Sequence, residues 1–366
     1  MTQAQDIHQP LKQYFGYDQF RPLQEEVIRT VLSGKDALVI MPTGGGKSIC
    51  FQVPALLFKG VTLVISPLIA LMKDQVDGLN ANGIQAAFYN SSQAAGEQHE
   101  ILDQVRSGSL RLLYVAPESL SFLTEVLSEE FVSCIAVDEA HCISSWGHDF
   151  RPSYQRLGFL KTQLPNTPII ALTATADKAT RQDILDQLSI PNAQRFVSSF
   201  DRPNIDLDVR PGLERMKQIG KFLTQNADES GIIYCLSRKA TEEVSSKLSA
   251  QGFDCAAYHA GLGFEDRSRV QEDFVNDRIK IVCATVAFGM GIDKSNVRFV
   301  IHYNMPKNIE GYYQEIGRGG RDGLEAQAIL FHSFADVIQL RKFAEGATNE
   351  AVQLAKLDRM QQFAEA

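Results

Sequence analysis

The sequence predicts an α/β protein made of two tandem lobes, each built on a parallel sheet. Three observations predict it. Short β-branched runs alternate with helix-length segments along nearly the whole chain, the pattern of βαβ units with strands buried on both faces. The first of these runs leads into a glycine loop ending in Lys-Ser, which is a strand, phosphate loop and helix in succession. A polar, proline-containing stretch near 198–205 divides the series into two similar halves.

The elements follow in order. The first lobe, 1–199, carries the runs "ALVIM" at 37–41, "VTLVIS" at 61–66, "RLLYVA" at 111–116, "CIAV" at 134–137 and "PIIALTAT" at 168–175. The second, 200–344, carries "GIIYC" at 231–235, "AAYHA" at 256–260, "KIVCAT" at 280–285, "FVIHY" at 299–303 and "AQAILFH" at 326–332. Residues 345–366 form a helical tail in which Leu354, Leu357, Met360 and Phe363 recur every three residues along one apolar face.

Composition agrees with this reading. At 366 residues the chain fits two domains of about 150 residues each, and 44% hydrophobic with 22% charged residues is ordinary for a soluble globular protein. No apolar run approaches the roughly 20 residues of a membrane helix. The N-terminus lacks the basic and apolar regions of a secretory signal, so the expectation is a cytoplasmic protein of the bacterial cytoplasm or nucleoid, without membrane association. Its oligomeric state is left open, with a monomer expected. The six cysteines contain no CxxC pair and sit mostly in strand-like runs, as reduced core thiols do. The net charge of −8 does not by itself point to nucleic acid, so any such site has to be a local groove.

The motifs carry the chemistry. In "MPTGGGKS", Gly44, Gly45 and Gly46 have no Cβ, so backbone N–H groups, with Thr43 among them, can close around phosphate oxygens. Lys47 is placed to reach the β- and γ-phosphates of ATP, and the Ser48 hydroxyl to ligate Mg²⁺. Met41 stands where the strict pattern asks for glycine, and with no second GK[ST] the expectation is one nucleotide site per chain. Asp138 and Glu139 follow the run "CIAV", at the strand end where parallel sheets bind ligands. Asp138 is expected to hold Mg²⁺ and Glu139 to polarise the attacking water, with His141 as a relay toward the second lobe. Arg318 and Arg321 lie three apart and would share a helix face, from which an arginine can stabilise charge on the transferring phosphoryl group. Gln314 is a candidate contact to the γ-phosphate or its water. Trp146, the chain's one tryptophan, stands with His148, Phe150 and Arg151 just after the acidic pair, where bases could stack and a phosphate could be met.

These motifs, MPTGGGKS, DEAH (138–141), TAT (173–175), ATVAFGMGID (284–293) and QEIGRGGRDG (314–323), occur in the order seen in superfamily-two helicases. FRPLQ (20–24) and WGHDFRP (146–152) resemble the RecQ family of DNA helicases in particular, and the resemblance reaches to about residue 344. It implies two RecA-like lobes with ATP in the cleft between them. Tyr17 would stack on adenine while Arg21 and Gln24 read its edge, and Arg321 would be the arginine finger with Arg318 beside it. It also implies 3′-to-5′ movement on single-stranded DNA, DNA-stimulated ATP hydrolysis, separation of partly duplex DNA, and work in DNA repair and recombination. An RNA-dependent ATPase of the same superfamily, or a helicase-like DNA-binding scaffold, remain alternatives.

The chain departs from the family at two points. Gly319 stands where the family usually has alanine, which would loosen a helix bearing the arginines by up to about 1 kcal/mol. No cysteine follows Cys283, so no zinc site is expected here, and residues 345–366 are read as the start of a truncated zinc-binding region.

Overall fold

The computed structural model describes residues 6–67, 69–90, 93–144, 150–199, 201–288, 294–346 and 349–366. The chain divides into two compact units, Met1–Phe200 and Asp201–Ala366.

The first unit is a seven-stranded sheet. Its strands are β1 (Ala37–Ile40), β2 (Val61–Ile65), β3 (Ala86–Tyr89), β4 (Leu112–Val115), β5 (Val132–Val137), β6 (Ile169–Thr173) and β7 (Gln194–Val197), in the order β3-β4-β2-β5-β6-β1-β7 and all parallel. Strands β1, β2 and β6 are buried along their whole length. Leu38, Ile65 and Val137 pack into the core on one face of the sheet, and Val39, Val64 and Ala136 into the core on the other. Burial on both faces is why these strands read as unbroken apolar runs and not as an alternation.

The second unit repeats the plan with six parallel strands. These are β8 (Ile205–Pro211), β9 (Ser230–Tyr234), β10 (Cys255–Tyr258), β11 (Ile281–Ala284), β12 (Val297–His302) and β13 (Ala326–His332), in the order β10-β11-β9-β12-β13-β8. Gly231 on β9 has a packing reason: a Cβ there would overlap the ring of Phe299 on β12. The terminal helix Glu350–Glu365 lays Leu357, Met360 and Ala364 into the same core as Val282, Val300 and Ala328. Its Phe363 ring lies 5.5 Å from that of Tyr312. The apolar stripe of the tail is therefore covered by the second unit itself.

The ten runs singled out in the sequence all carry strands, and the described residues hold three further strands, β3, β7 and β8. Strand β7 is an edge strand with only Phe196 buried. Strand β8 begins at Ile205, where the dividing stretch ends; it too is an edge strand, and its "IDLDVRP" reads as polar because most of its residues are exposed. Among the described residues no helix is long and apolar enough to cross a membrane. All six cysteines are free thiols, five of them buried.

Because Met360 is fully enclosed, Met360→Ala should cost about 2–5 kcal/mol, read as a lowered denaturation midpoint of the second unit. An unchanged midpoint would mean that the terminal helix does not belong to that core.

Candidate active site

Sheet order assembles the site in the first unit. The phosphate loop follows β1, the acidic box follows β5, and Thr173–Thr175 ends β6, which lies between them. All three strands run the same way, so their C-terminal ends meet at one edge, with β1 and β5 about 10 Å apart. Groups some 90 residues apart in sequence are thereby brought within electrostatic reach, and the charge of Lys47 acts on Asp138.

The loop is shaped for close approach. Gly44 and Gly46 adopt φ of 78° and 79°, in the left-handed region that side chains avoid. A Cβ on Gly45 would come within 2.9 Å of the Pro42 carbonyl oxygen, and one on Gly46 would overlap Gln24 Nε2. The helix Ile49–Leu57 begins directly after Ser48, so its N-terminal N–H groups and dipole favour an anion at the loop. Lys47 Nζ donates to the carbonyls of Met41 at 3.1 Å and Pro42 at 3.4 Å.

Arg21 and Gln24 brace this loop. Arg21 Nη1 donates to the Gly44 carbonyl, and Gln24 Nε2 donates to the Gly46 carbonyl at 2.9 Å. Gln24 Oε1 accepts from the Arg21 backbone N–H at 2.8 Å, and Gln24 is buried. Tyr17, four residues before Arg21, is 54% exposed and presents a ring to solvent.

The acidic box is crowded and strained. Asp138 continues the sheet through its N–H to the Ile65 carbonyl at 2.9 Å, and its carboxylate accepts the Glu139 N–H at 3.0 Å. Burial first, then the neighbouring Glu139 charge, push the Asp138 carboxyl above the usual range. Glu139 takes φ 47° and ψ 43°, a left-handed conformation that costs of order 1 kcal/mol or more for a residue with a Cβ. That conformation turns the chain sharply into the short 3-10 helix Ala140–Ile143. His141 is buried, with Nδ1 2.9 Å from Thr173 Oγ1 and 3.3 Å from Glu139 Oε2. Thr173 Oγ1 also donates to the Thr175 carbonyl at 3.0 Å, which suits a proton on His141 Nδ1. These bonds tie the acidic box to β6 of the same unit.

Of the aromatic group after the box, Trp146 and His148 lie outside the described residues. Phe150 is 38% exposed. Arg151 donates through Nη1 to the Pro67 carbonyl at 2.7 Å, and its N–H to the Cys142 carbonyl at 2.9 Å. Arg151 thus links the end of β2 to the segment leaving the acidic box.

In the second unit the arginines are not on a helix. The helix Ile309–Ile316, capped by Asn308 through a 2.7 Å bond to the Gly311 N–H, carries Gln314 and stops before Arg318. Three glycines end it, with Gly320 at φ 54°. Arg318 is buried, so a solvated helix face is also excluded. Gly319 lies in the turn, and the helix-propensity cost expected there does not arise. A Cβ on Gly319 would instead press on Ala326 Cβ at 3.2 Å.

Several residues that shape these sites went unassigned in the sequence. Tyr154 is fully buried and its hydroxyl donates to the Asp138 carbonyl at 3.1 Å. Thr173 was visible as part of TAT and His141 as part of DEAH, but the bond between them was not. Tyr234 donates to the Phe288 carbonyl at 2.8 Å and is hydrogen-bonded to Arg318. Beneath it, His302 Nε2 lies 2.6 Å from Glu315 Oε2, in the core.

Comparison with known proteins agrees with this arrangement. Residues 21–184 match the DEAD/DEAH box helicase family, and residues 214–323 match the helicase conserved C-terminal domain. The chain is 52% identical over 361 residues to the ATP-dependent DNA helicase RecQ of Haemophilus influenzae, covering 97% of this chain and 58% of that protein. It is 51% identical over 377 residues to the RecQ of Pasteurella multocida, covering 99% and 60%. The chain thus spans about three fifths of the length of these relatives. Among solved structures, Saccharomyces cerevisiae Dbp5 bound to RNA and ADP BeF3 superposes with a TM-score of 0.71 at 17% identity, covering 100% of this chain and 97% of that one. The Mycobacterium smegmatis helicase Lhr bound to ssDNA and AMP-PNP gives 0.68 at 22% identity, covering 95% and 49%. These likenesses establish the fold, two RecA-like lobes.

Gly46→Ala should weaken nucleotide binding, because the added Cβ meets a φ that side chains rarely adopt and displaces Gln24 Nε2 from the Gly46 carbonyl. Titration with a fluorescent ATP analogue checks this, and retained affinity would contradict the loop assignment.

Proposed function

The chain belongs to the RecQ family of superfamily-two helicases, and on that premise we propose that it is an ATP-dependent DNA helicase or translocase. In this reading it hydrolyses ATP in response to single-stranded DNA and moves 3′-to-5′, acting on single-stranded and partly duplex DNA in repair and recombination in the cytoplasm or nucleoid. The observation that carries it is the convergence of phosphate loop, acidic box and Thr173–Thr175 at one edge of the first sheet.

The residues fit a nucleotide. A loop with glycines at left-handed φ and a Gly45 whose Cβ would press on the Pro42 carbonyl, followed by a helix N-terminus, is a cradle for phosphate oxygens. Lys47 would exchange the Met41 and Pro42 carbonyls for β- and γ-phosphate oxygens. Tyr17 would stack on the base, while Arg21 and Gln24, which already hold the loop, would meet its edge. The residues also fit Mg²⁺. Asp138 is a half-buried carboxylate raised by desolvation and by its neighbour's charge, which a divalent cation would relieve, and Ser48 offers a second hard oxygen. Among the described residues no group of three or more His, Cys, Asp or Glu side chains could hold a metal ion, so the phosphates would complete the coordination. Bound Mg²⁺ would neutralise charge developing on the phosphates.

Glu139 is assigned the proton of the attacking water, with its position fixed by the strained turn and by His141. Arg318 and Arg321 are assigned the charge on the transferring phosphoryl group, a role worth roughly 10³–10⁵ in rate, and Gln314 a contact to its water. Trp146, His148 and Phe150 would stack on bases at about 1–3 kcal/mol each, with Arg151 beside them. Strand occupancy would then be felt at the acidic box, because Arg151 is bonded to the Cys142 carbonyl within the segment that leaves it.

Steady-state ATPase assays with single-stranded DNA, single-stranded RNA and no nucleic acid test the proposal. DNA should raise turnover at least several-fold and more than RNA does. Trp146→Ala should abolish the stimulation while nucleotide affinity is retained. Glu139→Gln should lower turnover by about 10²–10⁴ with ATP still bound. A turnover indifferent to DNA of any length would sink the proposal, and a larger response to RNA would reassign the substrate.

A further inference from the structure

We infer that Arg202, assisted by Asn204, is the positioning residue of the loop that carries Arg318 and Arg321. The inference rests on the role proposed above for those two arginines. It adds that their placement is set by the segment that opens the second unit, directly after the boundary at Phe200.

The last carbonyls of Ile309–Ile316 are met by the backbone N–H groups of Gly317, Arg318 and Gly319, and the helix runs into a loop in which Gly317, Gly319 and Gly320 bring no side chains of their own. Two side chains from residues 201–204 supply donors to the carbonyls of that loop. Arg202 Nη2 donates to the Gly319 and Gly320 carbonyls, both at 3.0 Å, and Nη1 reaches the Gly317 carbonyl at 3.5 Å. Asn204 Nδ2 donates to the Gly320 and Leu324 carbonyls, both at 2.9 Å, while its Oδ1 accepts from Arg202 Nε at 3.3 Å. The carbonyls held are those on either side of Arg318 and the one immediately before Arg321. From the other side the loop is fixed by the Gly320 N–H on the Val297 carbonyl at 2.9 Å.

The guanidinium plane is what lets one side chain meet three carbonyls of a glycine loop, and a lysine ammonium cannot reproduce that fork. Asn204 also explains Gly320, since a Cβ there would overlap Asn204 Nδ2 and come within 2.6 Å of the Leu324 carbonyl oxygen. Residues 201–204 are in turn joined to the sheet by the Ala326 N–H on the Asn204 carbonyl at 2.9 Å. A shift of this segment is therefore passed to the backbone that aims Arg318 and Arg321. The bonds of the Arg202 guanidinium described above run to backbone carbonyls and to Asn204 Oδ1, so the effect assigned to it on turnover is indirect.

The test is a set of double-mutant cycles on DNA-stimulated ATP hydrolysis, with kcat and KM for ATP measured separately and thermal melting recorded for each variant. Arg202→Ala should lower kcat on the order of ten-fold or more, with KM for ATP held within about two-fold and the melting transition still cooperative. Arg202→Lys should recover part of the loss. In the Arg318→Ala or Arg321→Ala background, Arg202→Ala should add little, because it acts through them. If Arg202→Ala fails to fold, Arg202→Lys and Asn204→Ala carry the same cycles. Losses that multiply independently with those of both arginine variants, or an Arg202→Ala enzyme with unchanged kcat, would overturn this inference alone. Silent Arg318→Ala and Arg321→Ala variants would overturn the arginine assignment and this inference with it.

Discussion

A parallel sheet presents the C-terminal ends of all its strands along one edge, and the candidate site depends on that constraint. With β6 lodged between β1 and β5, the glycine loop, Thr173–Thr175 and Asp138–Glu139 cannot avoid one another, however far apart they lie along the chain. The cost of holding strands parallel is a long crossover for each one, and the chain meets it with helices that bury both faces of the sheet. The rigidity of the edge lets short contacts such as the Arg21 bond to the Gly44 carbonyl define the loop's shape.

Electrostatics gives that edge its character. Two adjacent carboxylates stand at a buried strand end, one of them on a strained left-handed backbone, opposite the lysine of the loop. Burial without full compensation is costly in a structural role. The same arrangement suits a site where a cation and a polyphosphate supply the missing balance. Around it the polar groups are tethered by specific bonds: His141 to Thr173, Tyr154 to the Asp138 carbonyl and Arg151 to the Pro67 carbonyl. The second unit handles its arginines similarly, with Tyr234 on Arg318 and Arg202 on the surrounding carbonyls.

How much of this was legible in the sequence follows from where each residue sits. Strands buried on both faces announce themselves as apolar runs, and all ten such runs are strands. The edge strands β7 and β8 carry Gln194, Arg195, Asp206 and Asp208 and so resemble loop. The phosphate loop and acidic box were readable because their residue types are dictated by chemistry at fixed local spacing. Arg318 and Arg321 were readable as a pair, but not their setting, because a spacing of three suggests a helix that the surrounding glycines end at Ile316. Contacts such as Arg202 with Gly319, or His141 with Thr173, join residues 117 and 32 positions apart. No local pattern announces a bond of that kind; only the fold makes it visible.

In the function proposed above, nucleotide and DNA are bound by one device whose two ends communicate. The most direct measurement is the affinity of the chain for a fluorescent single-stranded oligonucleotide, at fixed salt, with and without a non-hydrolysable ATP analogue and Mg²⁺, together with the converse titration. Linkage requires that the two ligands alter each other's affinity by the same factor. The account predicts a change of at least several-fold that is reciprocal in the two titrations. Identical DNA affinity in the presence and absence of the analogue, with both ligands shown to bind, would contradict it.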